Sequence, residues 1–207
     1  MIAYYLIRET TVGHLVATAS LRGIQWASLA SSYSQACDQL QAQTLQQEAQ
    51  PTQKGGLRWE RAPLFPPDWS KALTGALEQP QKSWQAPLDL KGSAFQQAIW
   101  QVLLRIPPGR LMRYGQIATV AGRPRAARAA GSACGANPVP FLIPCHRVIA
   151  HHGQLGGFGL GLALKKILLQ REGVDLQRLA EYEIPDPMTQ TQPALFEFGE
   201  RPIGGAC

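Results

Sequence analysis

The residues with the clearest chemistry lie in the run Ile143-Pro144-Cys145-His146-Arg147-Val148. A cysteine is nucleophilic as the thiolate, and a histidine within reach can take its proton. Pro144 keeps the preceding residue extended and has no N–H to give, so the chain is expected to leave regular structure there. That places the thiol where an apolar strand, Val139 to Ile143, is expected to end. A Cys-His dipeptide alone is more often a core cysteine beside a surface histidine. Its surroundings favour the chemical reading.

The first of these surroundings is charge. No Asp or Glu occurs from Lys91 to Arg171, so all fourteen acidic residues lie elsewhere. The same stretch carries Lys91, Arg105, Arg110, Arg113, Arg123, Arg125, Arg128, Arg147, Lys165, Lys166 and Arg171. The formal net charge of +6 therefore understates the local field. An arginine-rich region with no carboxylates points to a polyanion as partner.

The elements that must position the thiol follow from spacing. Ser93 is a good N-cap for a helix whose stripe is Phe95, Ile99, Trp100, Val102 and Leu103, and which ends at Pro107-Pro108-Gly109. Tyr114-Gly115 opens a short helix, Gln116 to Ala121. Gly122-Arg123-Pro124 is a tight turn, and a second helix is expected from about Arg125 to Cys134. Helix, glycine turn, helix is the helix-turn-helix pattern. In the second helix Ala126, Ala127, Ala129, Ala130, Gly131, Ser132 and Ala133 are all small, and Arg128 is the one long side chain in the middle. A helix that reads base edges needs several long polar side chains. A small-residue face instead allows close approach to a sugar-phosphate surface, with one arginine reaching into the stack or minor groove. The expected partner is thus double-stranded DNA, bound through its backbone with little sequence preference. Gly135 to Pro140 links this helix directly to the cysteine motif.

The first half reads as a small unit with an antiparallel sheet. Residues 3–10 and 14–29 have strand composition, with turn signals at Gly13 and Arg22-Gly23. A helix is expected from Ser31 to Leu45 with Tyr33, Cys37, Leu40 and Thr44 on one side. The stretch Glu48 to Pro67 reads as a loop. A short helix near Ser70 to Leu77 and a short strand at Leu88 to Leu90 follow. The fold class expected is α/β (α+β), divided as 1–88, a DNA-binding half 89–178 and a flexible tail 179–207. Four widely spaced cysteines show no disulfide framework and suggest a reducing compartment. No stretch has the apolar length of a membrane span, and the N-terminus lacks the basic start of a signal peptide, so a cytoplasmic protein is expected.

Tyr114, Arg128, Asn137, Pro144-Cys145-His146-Arg147-Val148 and Glu172, in this order and spacing, resemble the O6-alkylguanine–DNA alkyltransferases. The likeness runs from about Lys91 to Gly173 and more weakly through the first half. The resemblance implies that Cys145 irreversibly takes the alkyl group of O6-alkylguanine, and of O4-alkylthymine, once per molecule and without a cofactor. It implies that His146 takes the thiol proton through a water, on the argument that neighbours on an extended chain face opposite ways. Glu172 would orient the imidazole, Asn137 would brace the turn, and Arg128 would fill the gap left by a flipped nucleotide. Tyr114 would crowd the adjoining phosphate and donate a proton to the leaving oxygen. Arg125, Ala126, Ala127, Ala129 and Gly131 would join Arg128 and Tyr114 at the DNA, and Pro140, Val148, Phe158, Gly159 and Leu160 would form the substrate pocket.

Two departures stand out. Phe158-Gly159-Leu160-Gly161 occupies the place of Tyr-Ser-Gly-Gly in many members, so a hydroxyl is missing at Gly159 and Leu160 is bulkier. In the first half only His14 and Cys37 are metal-type ligands, so no zinc is expected. The protein is expected to be a monomer, with cooperative binding along DNA left open. A regulator using the helix-turn-helix alone would leave the Cys-His pair unexplained, and a cysteine hydrolase would leave the arginines unexplained.

Overall fold

A computed structural model describes residues 4–48 and 65–179. Three strands, β1 (Tyr4–Thr10), β2 (Gly13–Ala19) and β3 (Ile24–Ala30), form an antiparallel sheet in the order β1-β2-β3. The β1–β2 hairpin turns at Gly13, where φ is 131° and an added Cβ would lie 2.6 Å from the Ala30 carbonyl oxygen. Only glycine fits there. In β2, Leu15 to Ala19 are fully buried on both faces. Alternation explains this. Val16 packs with Ala30, Ala36 and Leu40 under helix α1 (Tyr33–Glu48), while Leu15, Ala17 and Ala19 face the main core.

The buried face of α1 contains the expected Leu40 and Thr44 but continues through Ala36, not through Cys37 and Tyr33. Ala36, Leu40 and Thr44 are buried, whereas Tyr33 is 62% exposed and meets His14 edge-on. Positions four apart set the row, and Tyr33 precedes it by three. The loop expected over 48–67 falls mostly outside the described residues. Its end is helical, because α2 runs from Pro67 to Glu78 with proline in its first turn, where a missing N–H costs nothing. The strand expected at Leu88–Leu90 reduces to a single bridge from Leu88 to Ile24. Asp89 reinforces it by accepting from Ser20 Oγ and Gln25 Nε2 and pairing with Arg22 at 2.8 Å.

Helix α3 (Ala94–Leu104) starts at Ser93, which forms a reciprocal capping box with Gln96. Its Trp100 is buried and donates from Nε1 to the Ala133 carbonyl at 2.9 Å, fixing α3 to α5. Helices α4 (Tyr114–Val120) and α5 (Ala127–Gly135) make the helix-turn-helix. The expected strand Val139–Ile143 does not form. Phe141 takes a left-handed φ of 79°, so the chain turns back on itself between Pro140 and Ile143. After Pro144 a 3-10 helix runs Cys145–Arg147, then the two-residue strand β5 (Val148–Ile149) pairs in parallel with β4 (Met112–Arg113). This pairing holds Tyr114, the next residue after β4, close to the cysteine motif. Helix α6 (Leu162–Arg171) packs behind that motif. One continuous core extends from the sheet through α2 and α3 to Cys145, so both halves share it. Leu179, placed in the expected tail, is 4% exposed and belongs to a small core with Leu111, Ile149, Leu169 and Val174. The rest of that tail, 180–207, lies outside the described residues.

Candidate active site

Helix α5 has the two faces its composition predicts. Ala130, Ala133 and Cys134 are buried. Arg128, Ala129, Ser132 and Gly135 are exposed, and Arg128 is the long side chain among them. Arg123 and Arg125 are exposed in the preceding turn. Arg125 has a left-handed φ of 71°, a conformation that costs an arginine about 1–3 kcal/mol and tends to persist at functional sites. Ala126 caps the helix and Ala127 opens it, both half-buried. Tyr114 packs against this helix, since an added Cβ on Gly131 would sit 3.8 Å from its ring. Its hydroxyl donates to the Gly157 carbonyl at 3.5 Å.

Behind this face lies a cavity of about 110 Å³ lined by Gly131, Cys134, Gly135, Cys145, Gly157, Phe158 and Gly159. Of the five expected pocket residues, Phe158 and Gly159 line it. Pro140, Val148 and Leu160 are not among its walls; Val148 is fully buried, and Leu160 packs on the core. Gly131, Gly135, Gly157 and Cys134 take their places. For the three glycines the signal was available in the sequence, because they offer room without side chains.

Asn137 is the bracket of the site. Its Nδ2 donates to Sγ of Cys145 at 3.0 Å and to the Ile143 carbonyl at 2.8 Å, while its Oδ1 accepts from the Val139 N–H at 3.1 Å. Burial raises the Cys145 thiol above its ordinary value; the Asn137 hydrogen bond and the charge of Lys165 oppose this without cancelling it. The thiol therefore rests protonated and needs a base.

A candidate for that base is next to it in sequence. His146 is fully buried, and its Nε2 meets Glu172 Oε1 at 2.9 Å. Its Nδ1 has no hydrogen-bond partner among the described protein atoms. Burial holds the imidazole below its ordinary value, and although Glu172 pulls it back upward the net shift is down. A neutral imidazole is what proton acceptance requires. The geometric argument for a relay needs revision, because Cys145 and His146 lie on a 3-10 helix and not on extended chain. Neighbours there are about a third of a turn apart, not opposed.

Glu172 has partners besides His146. Its Oε1 also takes Arg147 Nε at 2.9 Å and Nη2 at 2.8 Å, and its Oε2 takes the Gly109 N–H at 3.0 Å. Burial alone would raise this carboxyl, but the hydrogen bonds and charges of His146 and Arg147 hold it below the ordinary range, so it stays ionised. Arg147 also donates to the carbonyls of Ile106 at 2.5 Å and Pro80 at 3.3 Å.

Two of the eleven basic residues are therefore not surface charge. Arg147 is 8% exposed and Lys165 is fully buried. Lys165 Nζ donates to the carbonyls of Val148 and Leu155, both at 2.5 Å, and of Gly157 at 3.3 Å, holding α6, β5 and the cavity loop together. Burial lowers its ammonium to about 8 despite the nearby thiols. Sequence reasoning missed both roles. The tightly set Cys-His-Arg run hinted at the first, and nothing in the local sequence marked the second. Arg171 is half-buried and donates to the Leu77 carbonyl at 3.0 Å and to Thr11 Oγ1 at 3.2 Å. The exposed remainder, including Arg105, Arg110, Arg123, Arg125, Arg128 and Lys166, keeps the surface basic.

Fold and site together define a class of protein that sets a buried thiol and a buried histidine–carboxylate pair behind a basic helix-turn-helix. Residues 94–174 match the family model described as the DNA-binding domain of 6-O-methylguanine DNA methyltransferase. The chain is 42% identical over 108 residues to the bifunctional transcriptional activator and DNA repair enzyme Ada of Escherichia coli, covering 52% of this chain and 30% of that protein. It is 51% identical over 82 residues to a methylated-DNA–protein-cysteine methyltransferase of Salmonella typhimurium, covering 40% of this chain and 48% of that one. The chain thus spans half or less of the length of these curated relatives. Among solved structures, Mycobacterium tuberculosis O6-methylguanine methyltransferase aligns over 83% of this chain and 93% of its own, with 30% identity and a TM-score of 0.60. The same organism's OGT in complex with DNA aligns over 85% of this chain and 98% of its own, with 28% identity and a TM-score of 0.62. The chain belongs to the O6-methylguanine–DNA methyltransferase family.

Proposed function

We propose that the protein repairs alkylated DNA by moving the alkyl group of O6-alkylguanine, and of O4-alkylthymine, onto its own Cys145. The observation that carries this reading is the Cys145 thiol on the wall of a small cavity, held by Asn137 and backed by the buried His146–Glu172–Arg147 cluster. Neutral His146 takes the thiol proton through an intervening water, and ionised Glu172 stabilises the imidazolium that forms. The thiolate attacks the alkyl carbon, a carbon–sulfur bond forms, and the carbon–oxygen bond breaks. Tyr114 gives its proton to the leaving oxygen. Burial, then the charges of Cys134 and Cys145, push its phenol up to about 12, so the proton is present throughout the neutral range. No cofactor enters these steps. The thioether is not hydrolysed, so each molecule acts once.

The base must leave the duplex to reach a cavity behind α5, at a cost of a few kcal/mol. Arg128 fills the space it leaves, and Arg125, Ala126, Ala127, Ala129 and Gly131 lie against the backbone. Binding is then strongly salt-dependent and weakly sequence-dependent. A monomer acting in a reducing cytoplasm suits the three free cysteines among the described residues. Pro140, Val148 and Leu160 shape the pocket from behind its lining residues.

Mixing the protein with duplex DNA carrying one O6-methylguanine should add one methyl group to the intact protein, and peptide mapping should find it on Cys145. A methyl group on Cys134, or more repaired DNA than protein, refutes the reading. Glu172→Gln should slow transfer and shift its pH dependence.

A further inference from the structure

The transfer chemistry leaves one buried nucleophile without a role. Cys134 sits in the last turn of α5, is 7% exposed, and lines the same cavity as Cys145. That cavity has a volume equal to only a few water molecules. Four of its seven lining residues are glycines, and Phe158 is the one bulky side chain. Asn137 ties the two cysteines together: its backbone N–H donates to the Cys134 carbonyl at 3.2 Å, and its Nδ2 donates to Sγ of Cys145 at 3.0 Å. The nearby Cys145 sulfur raises the cost of ionising Cys134, and the Lys165 ammonium lowers it for both thiols. Cys37 lies on α1, away from the cavity walls.

We propose that Cys134 is a resolving thiol, which closes a reversible disulfide with Cys145 across the substrate cavity when a hydroperoxide oxidises the acceptor. Cys145 reacts first, because His146 can draw off its proton as it does in transfer. The thiolate attacks one peroxide oxygen, the O–O bond breaks, and a sulfenic acid forms with release of the corresponding alcohol, or of water when the oxidant is hydrogen peroxide. The Cys134 sulfur then attacks the Cys145 sulfur, the S–S bond forms, and the sulfenic oxygen leaves as water. The sulfur pair loses two electrons and the peroxide gains them. A sulfenic acid without such a neighbour goes on to sulfinic and sulfonic acids, which thiols do not reverse. The disulfide therefore stores the acceptor in a recoverable form. Its value to the protein rests on the reading of Cys145 as the acceptor; the bond itself does not.

The test is to treat the full chain with hydrogen peroxide, block free thiols, and map disulfides by mass spectrometry without reduction. The expected product is a monomer two hydrogen atoms lighter, with a Cys134–Cys145 linkage in wild type and in a Cys37→Ser, Cys207→Ser variant. Dithiothreitol should restore most of the lost transfer. In Cys134→Ser the same dose should carry Cys145 to sulfinic or sulfonic acid. The proposal is overturned if wild-type Cys145 is found overoxidised beside a free Cys134 thiol, joined to Cys37 or Cys207, or unmodified. Disulfide mapping does not depend on alkyl transfer, so a linkage formed in a protein that fails to accept methyl groups would overturn the acceptor reading alone.

Discussion

Glu172→Gln tests the buried cluster through stability. The substitution keeps the shape and removes the charge on which His146 Nε2 and two Arg147 donors converge. The amide must also choose. With its oxygen toward Arg147, its NH2 faces the Gly109 N–H; with the NH2 toward Arg147, donor faces donor. The Arg147 side chain, 9% exposed, is left without its counter-charge. Removing one partner of a buried pair costs about 3–5 kcal/mol. Arg147 retains the carbonyls of Ile106 and Pro80, so the low end, about 3 kcal/mol, is expected. For a chain of this size that lowers Tm by about 6–12 °C. Urea unfolding, followed by tryptophan fluorescence and circular dichroism, measures it. Adding Arg147→Met should return part of the loss, since it removes the stranded charge. A change below about 1 kcal/mol with an unaltered urea slope would refute the reasoning. The pH dependence has a definite sign. The folded protein binds the Glu172 proton more weakly than the unfolded chain, so its contribution is complete above the ordinary carboxyl value of 4.5 and fades as pH falls toward the lower folded value. Wild type should therefore lose more stability on acidification than Glu172→Gln.

Arg128→Ala should leave stability within about 0.5 kcal/mol, as an exposed position does. It should slow repair of duplex DNA about 10- to 100-fold, roughly 1.4–2.8 kcal/mol of barrier, with little effect on a free O6-alkylguanine base; equal slowing of both would assign Arg128 to the pocket. Asn137→Ala removes three hydrogen bonds at the turn and at Sγ and should cost about 2–3 kcal/mol by denaturation, with slower alkylation of Cys145 by a small electrophile such as iodoacetamide. Tyr114→Phe should slow transfer, and its ratio to wild type should hold from about pH 7 to about pH 10, where an ordinary tyrosine would begin to ionise. A ratio that closes toward one over that range would show that the phenol ionises normally.

The sequence revealed the site better than the path that reaches it. Ser93, the Gly122 turn and the small face of α5 are local signals, and local chemistry decides caps, turns and helix faces. The motif Cys145-His146 and its partners Asn137 and Glu172 were legible by type and order. The turn at Phe141 was not, because a left-handed phenylalanine is enforced by packing and its own propensity argues against it. On α1 the buried Leu40 and Thr44 were read correctly, but their row was continued through Cys37 and Tyr33 and not through Ala36, since both are apolar enough to pack and only the sheet decides which side is covered. Lys165 and Arg147 looked like surface charge. Their burial depends on carbonyls supplied by distant segments, and no local pattern announces a carbonyl.

The contacts of Arg147 and Arg171 bear on how this chain can change over time. Both reach into the first half, and they take the carbonyls of Pro80 and Leu77 at the C-terminal end of α2, a helix with no basic residue in its last turn. A backbone carbonyl is the same whatever side chain follows it. The first half can therefore exchange most of its residues and still complete the charge cluster, provided α2 ends in the same place. Sequence likeness to the Escherichia coli and Salmonella typhimurium relatives covers only 52% and 40% of this chain, whereas likeness of backbone to the mycobacterial structures reaches 83–85%. Here the half that carries Cys145 depends on the position of its neighbour and is largely indifferent to its composition.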